Sequence, residues 1–293
     1  MNHTNITERF IFSDGESRLL GVFGDPISHS LSPKIHNLSL AKLDLNYHYL
    51  PFHVKPHELS TAINGFKALG GVGFNATVPH KVPLVPLMDN LDAAALKIGA
   101  VNTVAIDENG KFNGYNTDAY GFITALKEKY NEALSQKNIL VLGAGGACRA
   151  ALLALLDEGA DKIFLANRTV TKAKELSYDF NQHYPKATIT PIPLNFSSLE
   201  LSNIDLIVNT TSLGLHGEDN FPLAIEQLPS HALVYDIVYS ANQDTPLQKL
   251  ANSQGLTFID GLGMLIHQAA RAFQIWTGEE MPVDLVKSHI FGK

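Results

Sequence analysis

Residues 138–149 read NILVLGAGGACR, and no other stretch constrains the fold of the chain as tightly. Residues 139–142 form a continuous apolar run of strand type. Gly143, Gly145 and Gly146 supply a tight turn, and residues 147–156 continue as an Ala/Leu-rich helix closed by Gly159. A strand, a glycine turn and a helix N-terminus in that order place unpaired N–H groups and the positive end of a helix dipole where a pyrophosphate can sit. The third position of the G-x-G-x-x-G pattern holds Cys148, which is small enough to keep the helix packed closely on the strand. Gly143, Ala144, Gly145, Gly146 and Ala147 are therefore the candidate phosphate cradle.

The next apolar run, residues 162–166, refines the ligand. Where it ends, an NAD-binding chain carries Asp or Glu for the ribose 2′-hydroxyl. This chain has Asn167, Arg168 and Thr169 there, with Lys172 one turn further on. A carboxylate at that point repels a 2′-phosphate, whereas a guanidinium grips it with two hydrogen bonds. The pattern predicts NADP rather than NAD. The competing structural reading is a flavodoxin-like turn beside an ordinary surface arginine.

Composition sets the outer limits. A length of 293 residues is long for one domain and comfortable for two. A net charge of −7 with no basic stripe argues against nucleic acid as a partner. Cys148 is the only cysteine, which excludes disulfides within the chain and cysteine-based metal sites. His48, His53 and His57 lie close together in sequence, but no nearby carboxylate completes a ligand set, and no metal is expected. No apolar run approaches the roughly 20 residues of a membrane span, and the N-terminus lacks a signal-peptide core. A cytoplasmic enzyme without a membrane partner is the expectation.

The nucleotide motif begins far from the N-terminus, so a domain-sized segment precedes it. Residues 1–18 are polar and unpatterned, and are expected to be a loosely held extension. Strand-like runs at 19–23, 46–54 and 71–75 alternate with helical patterns at 32–43, where Pro33 takes the first position, and at 56–69. A helical turn is expected near 80–88. Asn109-Gly110 between 104–107 and 111–114 predicts a hairpin insertion. A helix at 118–130 leads into the nucleotide region, whose further strands are read at 188–194, 204–209, 233–238 and 256–259. Residues 213–222 read as a mobile polar loop, and 264–276 as a helix ended by Gly278. Alternating strands and helices give an α/β chain with mostly parallel sheet.

Ligands of such sheets bind beyond the carboxyl ends of the strands. Three polar clusters fall at such ends in the first part of the chain: residues 29–32, residues 75–81, and Asn102-Thr103 with Asn116-Thr117-Asp118. Hydroxyls, amides, one lysine and one carboxylate suit a small polyhydroxylated acid better than a hydrocarbon.

GDPISHSLSPKIHN (24–37), GFNATVPHK (73–81), GAVNTV (99–104), GYNTDAYG (114–121), GAGGACR, NRT and DGLGMLIHQAARAF (260–273) resemble, in order, the motifs of the shikimate dehydrogenase family. The resemblance spans about residues 20–277. It implies two domains: residues 1–117 with 261–293 for the substrate, and a Rossmann-like domain at 118–260 for NADP, with a cleft between them that opens and closes. It implies reversible NADPH-dependent reduction of 3-dehydroshikimate to shikimate, in aromatic amino-acid biosynthesis. Lys81 would act as general acid and base, with Asp118 holding the reacting or adjacent hydroxyl and orienting the lysine. Ser30 and Ser32, aided by Tyr239, would bind the ring carboxylate, and Asn75, Thr77, Asn102 and Gln268 would read ring hydroxyls. Thr210 would line the cofactor side, and Gly261 would let the nicotinamide approach. The family allows a monomer or a homodimer. Cys148 stands where the family has Ala or Ser, and Ser240-Ala241-Asn242 stands where a proline often occurs.

Each residue also has a plainer reading. Ser32 fits an N-cap ahead of Pro33, Asp118 a cap of the following helix, Lys81 a surface lysine, Asn75 and Asn102 turn residues, Gln268 a solvated helix position and Tyr239 a core ring. Two rival functions remain: a quinate/shikimate dehydrogenase that prefers NAD, against which Arg168 speaks, and a non-catalytic binding module of the same fold.

Overall fold

The first strand, β1 (Arg18–Gly24), is buried along its last five residues and lies between two parallel neighbours, β2 (Tyr47–His53) and β3 (Gly71–Ala76). The computed structural model that shows this describes residues 13–194, 201–214, 227–239 and 244–292. The crossovers between these strands are α1 (Ser32–Lys42) and α2 (Leu59–Ala68). Beyond β3 the sheet continues through β5 (Thr103–Ile106) and β6 (Phe112–Tyr115), both antiparallel to their predecessors, to the two-residue β4 (Asn90–Leu91); α3 (Ala93–Ile98) precedes β5 in the chain. The sheet order is β2-β1-β3-β5-β6-β4. Its core is aromatic: Phe23 stacks on Phe74 at 4.5 Å, and Phe66 packs edge-on against both.

The second sheet is wholly parallel. It comprises β7 (Asn138–Leu142), β8 (Lys162–Asn167), β9 (Thr188–Pro193), β10 (Leu206–Asn209), β11 (Leu233–Asp236) and β12 (Thr257–Ile259), in the order β12-β11-β10-β7-β8-β9. Counted from its own first strand this is 3-2-1-4-5-6 reversed, the doubly wound arrangement whose switch point lies between β7 and β10. The helices with it are α4 (Asp118–Lys127), α5 (Gly146–Asp157), α6 (Val170–His183) and α7 (Pro246–Ser253). Two last helices follow, α8 (Gly261–Thr277) and α9 (Val283–Phe291).

The chain divides into two units. The first runs to Thr117 and takes up the chain again from Gln268; the second is Asp118–His267. The end of α8 is pinned within the first unit by Trp276, whose Nε1 donates to the Val104 carbonyl at 2.9 Å. Gly73 leaves the room for that ring, since a Cβ there would fall 2.3 Å from Trp276 Nε1.

Several sequence expectations need correction. The 104–107 and 111–114 hairpin forms, with Gly110 at φ +72°, but it is an integral part of the first sheet rather than an insertion. Arg18 belongs to β1, and Ser17 hydrogen-bonds Asn46 at 2.7 Å, so the extension is tied down before residue 18. The helical turn expected near 80–88 does form, as a 3-10 turn at Val85–Leu87. The strand read at 233–238 stops at Asp236 because the Asp236 carboxylate takes the Val238 N–H at 3.0 Å. The loop read at 213–222 falls mainly outside the described residues, as do 240–242. Helices α3, α6, α7 and α9 are additions to the sequence reading.

Candidate active site

The glycine turn follows β7 as its sequence demands. Gly143 has φ +109°, a left-handed conformation, and a Cβ on it would lie 2.6 Å from Thr210 Oγ1. Both constraints require glycine. The Thr210 hydroxyl donates to the Leu142 carbonyl at 2.6 Å, which locks the end of β10 beneath the turn at the switch point. Gly145 is the N-cap of α5 and provides no side-chain cap, and a Cβ on Gly145 or Gly146 would meet open space. The first turn of α5 therefore keeps N–H donors, and room in front of them, for an anion. Cys148 is fully buried against this turn; burial pushes its thiol up to about 12, so it is a packing residue and not a nucleophile.

After β8, Asn167 Nδ2 donates to the Thr169 carbonyl at 2.9 Å and shapes the loop. Arg168, Thr169 and Lys172 are exposed, with Lys172 in the first turn of α6. The donor set, an amide, a guanidinium, a hydroxyl and an ammonium with no carboxylate among them, fits a ribose phosphate.

The first unit gathers a buried polar network at the C-terminal end of β3. Asn75 Nδ2 donates to the Asn102 carbonyl at 3.1 Å and to Thr103 Oγ1 at 3.0 Å. Asn102 Oδ1 accepts the Thr117 N–H at 2.8 Å, and its Nδ2 donates to Thr117 Oγ1 at 3.0 Å and reaches Gln268 Oε1 at 3.5 Å. Asn75 Oδ1 accepts the Tyr49 hydroxyl at 2.6 Å, and the Ser32 side chain is hydrogen-bonded to that same hydroxyl. Burial raises the Tyr49 phenol, an effect the Ser32 bond partly offsets, so it stays protonated. Ser32, Asn75, Asn102 and Gln268 are thus brought together. Ser30 joins them at the edge, its Oγ accepting the Ser32 N–H at 3.3 Å.

The N-cap reading of Ser32 fails. Helix α1 begins at Ser32 itself, and the preceding Leu31 is its N-cap with no side-chain bond, so the Ser32 hydroxyl goes to Tyr49 instead. Gln268 is half-buried and hydrogen-bonded, not a solvated helix residue. Thr77 is half-buried; its N–H donates to the Phe23 carbonyl at 2.9 Å. Lys81, also half-buried, follows the buried His80, whose Nε2 lies 2.7 Å from the Val54 carbonyl, and the Lys81 carbonyl accepts the Val101 N–H at 2.8 Å. Asp118 opens α4 and is 7% exposed.

In the second unit, Asp236 organises the ends of β10 and β11. It accepts from Asn209 Nδ2 at 2.8 Å, from the Val238 N–H and from Thr245 Oγ1 at 3.2 Å. Asn209 Oδ1 in turn accepts both the N–H and the hydroxyl of Thr211. Burial pushes the Asp236 carboxyl up to about 6 despite these three donors. Tyr239 is half-buried, and burial raises its phenol. Gly261 is required by packing, since a Cβ there would fall 1.9 Å from the Ile237 carbonyl.

Tyr49 and Asp236 were missed from sequence, whereas Thr103 and Thr117 were named there only as part of a polar cluster. The signal was there for Asp236, an acid closing an apolar strand. Tyr49 gave none, because it is one ring in an alternating strand.

Three stretches of the chain match known protein families. Residues 22–104 match the shikimate dehydrogenase substrate binding domain, 125–216 match shikimate / quinate 5-dehydrogenase, and 261–291 match the shikimate 5′-dehydrogenase C-terminal domain. A shikimate dehydrogenase (NADP(+)) of Magnetococcus marinus is 50% identical over 274 residues, covering 94% of this chain and 96% of that one. The chain belongs to the shikimate dehydrogenase family. Among solved family structures, a shikimate dehydrogenase in complex with NADP+ is 37% identical with a TM-score of 0.88, covering 96% of this chain and 97% of that one. A Thermus thermophilus shikimate 5-dehydrogenase in complex with NADP(H) and shikimate is 33% identical with a TM-score of 0.81, covering 92% and 97%. The family match takes in both the glycine turn and the network around Asn75.

Proposed function

We propose that the chain catalyses the reversible NADPH-dependent reduction of 3-dehydroshikimate to shikimate, a cytoplasmic step toward the aromatic amino acids. One observation carries the reading. A strand end stripped of carboxylate and furnished with Arg168 and Lys172 occurs in the same chain as a buried hydroxyl–amide network.

Gly143–Ala147 would hold the pyrophosphate of NADP, Asn167, Arg168, Thr169 and Lys172 its 2′-phosphate, and Thr210 and Gly261 the wall beside the nicotinamide. When bound, the cofactor supplies a hydride to the ring carbonyl carbon. The oxygen left behind needs a proton and nearby positive charge, and Lys81 provides both; in the oxidative direction it takes the proton back. Asp118 holds the hydroxyl under reaction and orients Lys81. Ser30 and Ser32, with Tyr239, take the ring carboxylate, while Asn75, Thr77, Asn102 and Gln268 read hydroxyls. Buried amides of this kind discriminate, because an analogue lacking a hydroxyl leaves them unpaired.

Lys81→Ala tests the assignment. Turnover should fall by about 10²–10⁴-fold, with shikimate affinity retained within a few-fold. Unchanged turnover would remove Lys81 from its role. The match of residues 125–216 to the shikimate / quinate 5-dehydrogenase family favours the rival activity on quinate with NAD, but Arg168 and Lys172 weigh against NAD.

A further inference from the structure

The network around Asn75 has a direction. The Asn102 carbonyl can only accept, so the end of the Asn75 amide that faces it is Nδ2, at 3.1 Å. The second Nδ2 hydrogen goes to Thr103 Oγ1. The amide oxygen therefore faces Tyr49, and the phenol donates to it at 2.6 Å. The Ser32 hydroxyl, bonded to the same phenol oxygen, fits this order as the donor. Both hydrogens of Asn75 and one lone pair of its oxygen are thus committed inside the protein. What is left to meet a ligand is the second lone pair, which only accepts.

Tyr49 is held firmly in this task. It is fully buried, and its ring stacks on His36 at 4.3 Å and 11°. Its backbone is clamped on both sides by Asn37, which accepts the Tyr49 N–H at 3.0 Å and donates to its carbonyl at 2.8 Å.

We propose that Tyr49 is a positioning residue: its hydroxyl locks the Asn75 amide with the oxygen turned to the ligand, so that Asn75 recognises a ring hydroxyl as a hydrogen-bond donor. The inference rests on the reading of this site as a shikimate site. It accounts for a phenol buried beneath polar residues that sequence reading passed over, and it gives a sign to a contact that sequence reading left unsigned.

The test is a double-mutant cycle of Tyr49→Phe and Asn75→Ala in the full-length chain, with shikimate Kd by calorimetry, steady-state kinetics and thermal unfolding. Tyr49→Phe should raise Kd and KM for shikimate about tenfold while kcat stays within about threefold. In the Asn75→Ala background the same change should cost less than about twofold. Among ring-deoxy analogues of shikimate, the one lacking the hydroxyl read by Asn75 should bind wild type and Tyr49→Phe alike. An equal loss in both backgrounds would mark Tyr49 as packing only and overturn the proposal. So would an unchanged Kd, a kcat that falls with the affinity, or a Tyr49→Phe chain that does not fold. Failure of the underlying reading looks different: wild type itself would neither bind nor turn over shikimate, and the inference would fall with it.

Discussion

Replacing His36 with Phe should change how the protein responds to acid. His36 is fully buried, neither ring nitrogen has a hydrogen-bond partner among the described residues, and the rings of Tyr49, Phe273 and Trp276 pack against it. Burial alone pushes its imidazole down to about 3. An unfolded chain binds a proton there near pH 6.5, so between those values the unfolded state carries a proton that the folded state refuses. The associated stability is present above about pH 6.5 and lost as pH falls toward 3. At about 1.36 kcal/mol per pH unit, the loss by pH 5 is about 2 kcal/mol from this residue. In His36→Phe that component vanishes. Overpacking costs about 1–3 kcal/mol, set against relief of an unsatisfied polar group of similar size, so the variant's stability at pH 7.5 is of secondary interest. The slope is the readout. Trp276 is the only tryptophan, and its ring centroid lies 5.4 Å from that of His36 in the same unit, so intrinsic fluorescence in urea follows the relevant unfolding. The wild-type advantage should shrink by about 2 kcal/mol between pH 7.5 and 5. Parallel curves would refute the reasoning.

Three further outcomes are expected. Arg168→Ala should raise KM for NADP by about 10–100-fold, the value of a charge-assisted hydrogen bond, and leave NAD within about twofold, as steady-state kinetics will show. Asp236→Asn should act in the opposite sense to His36→Phe. The raised carboxyl at about 6 contributes stability that is complete below about pH 4 and lost as pH rises through 6. The amide, which can still accept from Asn209 and donate to Thr245, should flatten that fall of about 3 kcal/mol in urea melts at pH 4–7. Cys148, with its thiol at about 12, should react with iodoacetamide at pH 8 at least about a hundredfold more slowly than in urea-unfolded chain.

The nucleotide-binding half was legible because its central strands β7, β10 and β11 are buried on both faces and so write continuous apolar runs, punctuated by glycines at positive φ such as Gly143 and Gly159. Helix α6 was harder, since VTKAKELSYDFNQH buries only Ala173, Leu176, Ser177 and Phe180 and leaves a polar majority. The two residues of β4 are too few to carry any periodicity. The candidate residues were readable as types: hydroxyls, amides and a lysine at strand ends. Their organisation was not. Tyr49 reaches Asn75 because β1 pairs with both β2 and β3, a long-range register that no local pattern encodes. The plainer reading of Ser32, as a cap, came from serine before proline ordinarily being one; the phenol of Tyr49, 17 positions away in sequence, claims its hydroxyl instead.

The central claim is tested most directly by following the reduced-nicotinamide absorbance with shikimate and, separately, with quinate, each offered NADP and NAD. Rapid NADPH formation from shikimate, with the other three pairs slow, is the predicted result. Turnover that favours quinate with NAD would contradict the account of Arg168. No turnover with any pair, in folded protein that binds NADP, would contradict the assignment of an enzyme at all.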